Sequence, residues 1–119
     1  MIAWKTIGLL DAMRGMVVIR EADSNKPRNP LEVVRFYIAT AITLGAPAYN
    51  NGDKRGCFEI YSATARLLLA IVQGADIARM GLREALEKSS TLMDVDEQAW
   101  IMRQAFDVIL ESDFPEDDE

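Results

Sequence analysis

The run from Ala41 to Leu69, AITLGAPAYNNGDKRGCFEIYSATARLLL, constrains the fold of this chain more than any other feature. It predicts two amphipathic helices joined by a tight turn at residues 50–53. Within that turn, Gly52 can adopt the left-handed backbone conformation that ends a helix, and Asp53 can cap the helix that follows. We therefore expect a close-packed helical hairpin at the centre of the chain.

Helical periodicity extends over nearly all of the remaining sequence, and no run shows the alternation typical of a β-strand. The predicted helices cover about residues 3–20, 30–49, 54–73, 77–90 and 95–112. The second should begin at Asn29 as its N-cap with Pro30 in its first turn, and Asp76 and Asp94 are the expected N-caps of the last two. The sequence thus predicts an all-α fold, a bundle of four to five antiparallel helices with a central tetratricopeptide-like helical hairpin.

Four residues inside these helices carry further expectations. Pro47 must either kink the second helix near Thr43 or end it early, since proline lacks a backbone N–H. Gly45 would ease such a kink. Gly81 indicates a close approach between its helix and a neighbour. Ile71 is expected in the apolar stripe of the third helix, which also contains Cys57 and Tyr61.

The charge of the chain is concentrated at its C-terminus. The net charge is −6 over 119 residues, and residues 111–119 contain six acidic side chains and no basic one. The rest of the chain then has 19 − 6 = 13 acidic residues against 13 basic ones. We expect residues 1–112 to form one helical domain and residues 113–119 a disordered acidic tail. A neutral body argues against a nucleic-acid partner, because phosphate binding needs a basic surface.

The residue types exclude several kinds of chemistry. The chain has one cysteine and no histidine. It therefore lacks the Ser-His and Cys-His dyads and the usual zinc sites, so no catalytic residue, cofactor or metal is predicted. Asp94, Asp96 and Glu97 suggest helix capping rather than a cation site, since their spacing lacks the glycine and the closing glutamate of a calcium loop. Lys5, Asp11 and the absence of an unbroken apolar centre argue against a secretory signal, and we expect a cytoplasmic protein with no membrane partner.

The densest polar cluster is formed by Tyr49, Asn50, Asn51 and Asp53 in the central turn. These groups can hold a small ligand or a peptide backbone by hydrogen bonds. The alternative interpretation is turn chemistry, in which Asn and Asp shape the bend and Tyr49 packs beneath it.

A second group of candidate residues lies further along the chain. Arg103 and Asp107 are four residues apart on the last helix and predict an internal salt bridge, whereas the alternative is an arginine that recognises an anion. With Tyr49, Tyr61 and Trp100, Arg103 would line a pocket between the second, third and fifth predicted helices.

The central hairpin resembles a tetratricopeptide repeat. The residues that carry the resemblance are Leu44-Gly45, Tyr49, Gly52-Asp53, Cys57 and Ile60-Tyr61. The match covers about one repeat, departs from the family at Pro47 and at Cys57 (where alanine is usual), and has no second copy downstream. It implies a helical hairpin rather than a solenoid. The longer pattern over residues 38–110 also resembles a small all-helical bacterial family with no assigned activity, from which no substrate or catalytic residue carries over.

These observations favour a non-enzymatic protein–protein interaction or assembly module, whose partner is another protein or a second copy in a homodimer. The chain has more apolar residues than a small bundle easily buries: Ile2, Trp4, Leu9, Val18, Ile19, Phe36 and Met80. The alternative is a small-molecule binding protein or an enzyme that uses the pocket described above. A third is that the chain is one domain of a longer protein whose chemistry lies elsewhere.

Overall fold

The computed structural model describes residues 29–114, so the predicted helix at residues 3–20 and residues 115–119 of the predicted acidic tail lie outside the described range. Residues 29–114 form four helices and no strands: α1 (Pro30–Asn50), α2 (Lys54–Ile71), α3 (Asp76–Ser90) and α4 (Val95–Glu111). The predicted all-α class is therefore confirmed for these residues, which contain four helices.

The start of α1 and the central turn have the predicted local structure. The Asn29 side chain accepts a hydrogen bond from the Leu31 backbone N–H at 2.8 Å, and Pro30 occupies the first turn of α1. Gly52 has a φ of 97°, which an L-amino acid with a Cβ rarely adopts. Asp53 then caps α2, because its carboxylate accepts from the Gly56 N–H at 2.9 Å.

The starts of the last two helices differ from the prediction. Asp76 is the first residue of α3, and its N-cap is Ala75, whose backbone is left-handed with a φ of 50°. Gly74 just before it has a φ of 95°, so two successive left-handed residues turn the chain sharply and move the cap position back by one residue. Asp94 is the N-cap of α4 as predicted, but its side chain makes no capping hydrogen bond.

Pro47 neither ends α1 early nor shortens its last turn, since the helix continues through it to Asn50. The Asn51 N–H donates to the Pro47 carbonyl at 3.0 Å and closes this end of the helix. A proline this close to the end of a helix removes only one backbone hydrogen bond, which a well-packed helix tolerates.

The helices pack as two antiparallel pairs, α1 with α2 and α3 with α4, and contacts between α2 and α4 join the pairs. The core residues with 0% exposure include Ile38, Tyr61, Leu68, Leu82 and Phe106. Ile71, expected in the core, is 52% exposed, because α2 ends at this residue, two residues before the predicted end.

Among residues 29–114, one helix is long and apolar enough to span a membrane by length and composition alone. This helix is α1, whose best window has a mean hydropathy of 1.2 and is 44% buried within the protein. The buried central helix of a water-soluble bundle meets the same criterion. At its start, Arg35 Nε donates to the Ile109 carbonyl at 3.0 Å and a second guanidinium nitrogen donates to the Ser112 carbonyl at 2.6 Å, which fastens α1 to the end of α4.

Candidate functional site

Tyr49, at the C-terminal end of α1, is the centre of a polar cluster that joins three helices. Its hydroxyl donates a hydrogen bond to the Asp96 carboxylate and accepts one from Trp100 Nε1 at 3.2 Å. The Tyr49 and Trp100 rings meet edge to face, with centroids 6.2 Å apart. From α2, Lys54 Nζ lies 3.9 Å from an Asp96 carboxylate oxygen and 5.6 Å from the centre of the Tyr49 ring. The cluster therefore ties the start of α4 to the central turn.

Burial determines the acid–base state of this cluster. Tyr49 is only 3% exposed. Its burial, and then its hydrogen bond to Asp96, raise the pKa of its hydroxyl to about 12. A phenol with such a pKa stays neutral at physiological pH and does not act as a base there. The cluster therefore holds helices together through hydrogen bonds, and its Tyr49 hydroxyl is neutral.

The three other turn residues of the predicted cluster lie beside Tyr49 but on the outside. Asn50, Asn51 and Asp53 are exposed, while Tyr49 is buried beneath the turn. The Asp53 carboxylate caps α2. This arrangement is the one that the turn interpretation predicts.

The remaining predicted site residues are in the core. Arg103 is 1% exposed, and its Nε donates to the Asp107 carboxylate at 2.9 Å, which confirms the predicted internal salt bridge. Tyr61 is fully buried, with its ring centre 5.1 Å from that of Phe106. The structure thus brings Tyr49 and Trp100 into contact, while Tyr61 and Arg103 are enclosed in the core.

Burial raises the pKa values of two polar groups near Arg103, the Cys57 thiol and the Tyr61 hydroxyl. Burial raises the pKa of the Cys57 thiol to about 11, although a hydrogen bond with Tyr61 acts in the opposite direction. Burial also raises the pKa of the Tyr61 hydroxyl well above its usual value. Cys57 is 0% exposed, so its thiol is protonated and inert at neutral pH.

Gly45 has a role that the sequence did not reveal. A Cβ at this position would lie 2.5 Å from Cε1 of Tyr61. The glycine therefore allows α1 and α2 to approach closely enough for the Tyr61 ring to pack directly on the backbone of α1. It is therefore a packing residue at the contact of α1 with α2.

A groove, hereafter the α3–α4 groove, lies between α3 and α4, and sequence reasoning missed it. It has a volume of about 250 Å³, and the residues that line it include Ile77, Gly81, Glu84, Ile101, Val108 and Phe114. Ile77 and Val108 are 51% and 55% exposed, so two branched apolar side chains stand at its edges.

Gly81 was expected to mark a close approach between helices, and the structure contradicts this expectation. A Cβ at Gly81 would meet no atom within 4 Å, because the residue faces the groove rather than a neighbouring helix. A glycine in a helix interior costs about 1 kcal/mol relative to alanine. A mid-helix glycine between apolar residues was the sequence signal that could have indicated an open surface here.

Residues 29–114 contain no group of three or more histidine, cysteine or acidic side chains placed to hold a metal ion. The fold and surface define an all-α helical bundle with an apolar groove between its last two helices. No family model, no curated protein and no solved structure matches the chain significantly.

Proposed function

We propose that this protein is a non-enzymatic interaction and assembly module that binds a second copy of itself through the α3–α4 groove. The observation that carries the proposal is the combination of exposed apolar side chains at the edges of the groove with an open space over Gly81. Exposed apolar surface of this kind is stabilised when another apolar surface covers it.

The dimensions of the groove support a protein partner. Its volume of about 250 Å³ is below the roughly 300–1,000 Å³ of typical small-molecule pockets. Between Ile77 and Lys88 it follows α3 for about 16 Å, at 1.5 Å per residue. This length suits three turns of a helix that packs its apolar side chains against the groove.

Charge complementarity supports a second copy as the partner. Glu84 and Lys88 both line the groove, one turn apart on α3. In a two-fold symmetric dimer, residue i of one copy contacts residue j of the other and the reverse contact is also made. Two grooves placed face to face can thus pair Glu84 of each copy with Lys88 of the other, while Val108 and Ile77 fill the space over Gly81.

The finer parts of the sequence prediction belong to the same proposal. We retain the tetratricopeptide-like character of the α1–α2 hairpin, the five-helix count and the relation to an all-helical bacterial family as proposals, together with a cytoplasmic location and no nucleic-acid or membrane partner. Small-molecule binding or catalysis stays a prediction without a supporting observation, since Tyr61 and Arg103 are almost fully buried.

The experiment that tests the proposal is size-exclusion chromatography with light scattering over a concentration series. We expect the wild-type chain to form a dimer, and Val108→Asp to weaken the dimer at least tenfold, because a charge would be buried among apolar side chains. The matched control is Ile71→Asp, since Ile71 is 52% exposed at the end of α2 and away from the groove.

Two outcomes of this experiment would contradict the proposal. A wild-type chain that stays monomeric at every concentration contradicts self-assembly. A dimer that Ile71→Asp weakens as much as Val108→Asp does would place the interface elsewhere and contradict the role of the groove.

A further inference from the structure

The C-terminal end of α4 is held by an arginine from α1. The last four carbonyl groups of a helix have no partner within it, and Ile109 lies in the last turn of α4. Arg35 Nε donates to the Ile109 carbonyl at 3.0 Å, and a second guanidinium nitrogen of Arg35 donates to the Ser112 carbonyl at 2.6 Å. One guanidinium thus binds both the last turn of α4 and the residue that follows the helix.

The charges around this helix end show why the contact with Arg35 matters. The C-terminal end of a helix has a partial negative charge that favours a nearby cation. The last turn of α4 contains no basic residue, and two acidic residues, Glu111 and Asp113, lie at or just beyond the end of the helix. The cation that stabilises this end therefore comes from α1, and loss of Arg35 should loosen the residues that follow the helix.

The residues that follow α4 lead directly to the α3–α4 groove. The helix ends at Ser112, whose backbone is extended with a ψ of 157°. Phe114 is half-buried, packs against the hydrophobic core and lines the groove together with Ile77 and Val108. Residues 112–114, hereafter the strap, thus connect the contact with Arg35 to the wall of the groove.

We infer that the strap is an intramolecular lid that restrains self-assembly. Arg35 fastens it so that Phe114 covers one end of the α3–α4 groove, and release of the strap opens this end to a second copy. The inference rests on the function proposed above, because it concerns how the same groove becomes accessible.

The position of Phe114 limits the size of the groove. Because α3 and α4 are antiparallel, the start of α3 at Ile77 and the end of α4 lie at the same end of the groove. With the Phe114 ring in its wall the groove has a volume of about 250 Å³. Withdrawal of the ring adds the volume of the ring to the groove and uncovers the core surface against which it packs. A larger apolar area then becomes available to a partner.

The strap can open without unfolding the bundle. Local opening requires little free energy where few buried apolar contacts are lost. Phe114 is the one apolar side chain of the strap and is only half-buried, while Asp113 is exposed. Opening therefore breaks the hydrogen bond from Arg35 to Ser112 and one apolar contact, and it leaves the fully buried residues of the four helices in place.

Methyl NMR of the full chain, at a concentration at which it is monomeric, tests whether Phe114 lies over the groove. Phe114→Leu should shift the Ile77 methyl signals, because leucine keeps an apolar side chain but removes the aromatic ring. Arg35→Met should shift them in the same direction, since a strap that is no longer fastened withdraws the ring. In a chain that already carries Phe114→Leu, the addition of Arg35→Met should cause no further shift.

The dissociation constant of the dimer, from light scattering over a concentration series, tests the restraint on self-assembly. Phe114→Ala and Arg35→Met should each lower this constant roughly fivefold or more relative to the wild type. The matched control is Arg79→Met, because Arg79 also donates to a backbone carbonyl near a helix end, that of Leu69 at 3.2 Å, but does not contact the strap. It should change the dissociation constant less than about twofold.

The two measurements separate failure of the strap from failure of the groove. Ile77 methyl signals that Phe114→Leu leaves unshifted would overturn the inference. A wild-type dimer that Phe114→Ala weakens or leaves unchanged would overturn it too, because Phe114 would then be part of the interface or without influence on it. If the wild type and every variant stay monomeric, the restraint is refuted together with the proposed self-assembly, whereas a wild-type dimer with unaffected variants refutes the strap alone.

Discussion

The same substitution, glycine to alanine, can be compared at Gly45 and at Gly81, which have different surroundings. Both glycines lie inside helices, Gly45 in α1 and Gly81 in α3, and neither has a positive φ. Replacement by alanine removes the same backbone freedom from the unfolded chain and should stabilise a helix by about 1 kcal/mol at either position. Only the surroundings of the new methyl group differ.

The structure gives the expected difference. At Gly45 the new Cβ would lie 2.5 Å from Cε1 of Tyr61, and the Tyr61 ring is fully buried against Phe106. Overpacking of this kind costs about 1–3 kcal/mol. At Gly81 nothing lies within 4 Å of the new Cβ. We expect Gly81→Ala to raise the free energy of unfolding by about 1 kcal/mol. The free energy of unfolding of Gly45→Ala should be about 1–3 kcal/mol lower than that of Gly81→Ala.

Urea denaturation followed by circular dichroism measures both variants against the wild type. With a slope of about 2 kcal/mol per molar urea, a difference of about 2 kcal/mol separates the two midpoints by about 1 M. The replacement of Tyr61 by leucine serves as the control, because it removes the ring and should let Gly45→Ala stabilise in that background. If Gly45→Ala stabilises the otherwise wild-type chain as much as Gly81→Ala does, the close approach of α1 and α2 is refuted.

Three further predictions concern the buried polar groups. Tyr49→Phe should lower the free energy of unfolding by about 1–2 kcal/mol in thermal denaturation, because Asp96 loses a hydrogen bond; no change would mean that the cluster does not hold α4. Asp107→Ala should lower the free energy of unfolding by about 1–2 kcal/mol, because it leaves the buried Arg103 guanidinium without its carboxylate. The addition of Arg103→Met should restore most of this loss, and a further loss in the double variant contradicts this account. Because burial raises the folded-state pKa values of Cys57 and Tyr49 from 9.0 and 10.0 to about 11 and 12, the stability they contribute is complete below about pH 9 and falls between pH 9 and 12. Urea midpoints at pH 8 and 10.5 measure this fall, which should be smaller in Tyr49→Phe, and a rise with pH would be inconsistent with the shifts.

The helices and the caps at Asn29 and Asp53 were predictable because they depend on residues close in sequence. The cap at Asn29, the left-handed Gly52 and the cap at Asp53 each require only a local backbone and one side chain, and the structure has all three. The salt bridge between Arg103 and Asp107 was predictable for the same reason, since residues four apart share one face of a helix.

The candidate site was predictable only in part. Tyr49 and Trp100 are 51 residues apart, and the sequence placed them in one pocket but did not indicate that Asp96 and Lys54 would complete their cluster. The contact of Tyr49 with Asp96 depends on how α4 crosses the end of α1, which no local pattern specifies. The sequence also grouped Tyr61 with these residues without indicating that it would be fully enclosed.

The sequence by itself determined the all-α class, the turn at residues 50–53 and most of the core, because helical periodicity and capping are local properties of the chain. Only the tertiary structure decided what Gly45 and Gly81 do. Gly45 meets the Tyr61 ring and Gly81 faces an open groove, although both occupy interior positions of a helix. The physical reason is that the effect of a missing Cβ on packing depends on the atoms that would have contacted it, and those atoms come from residues distant in sequence.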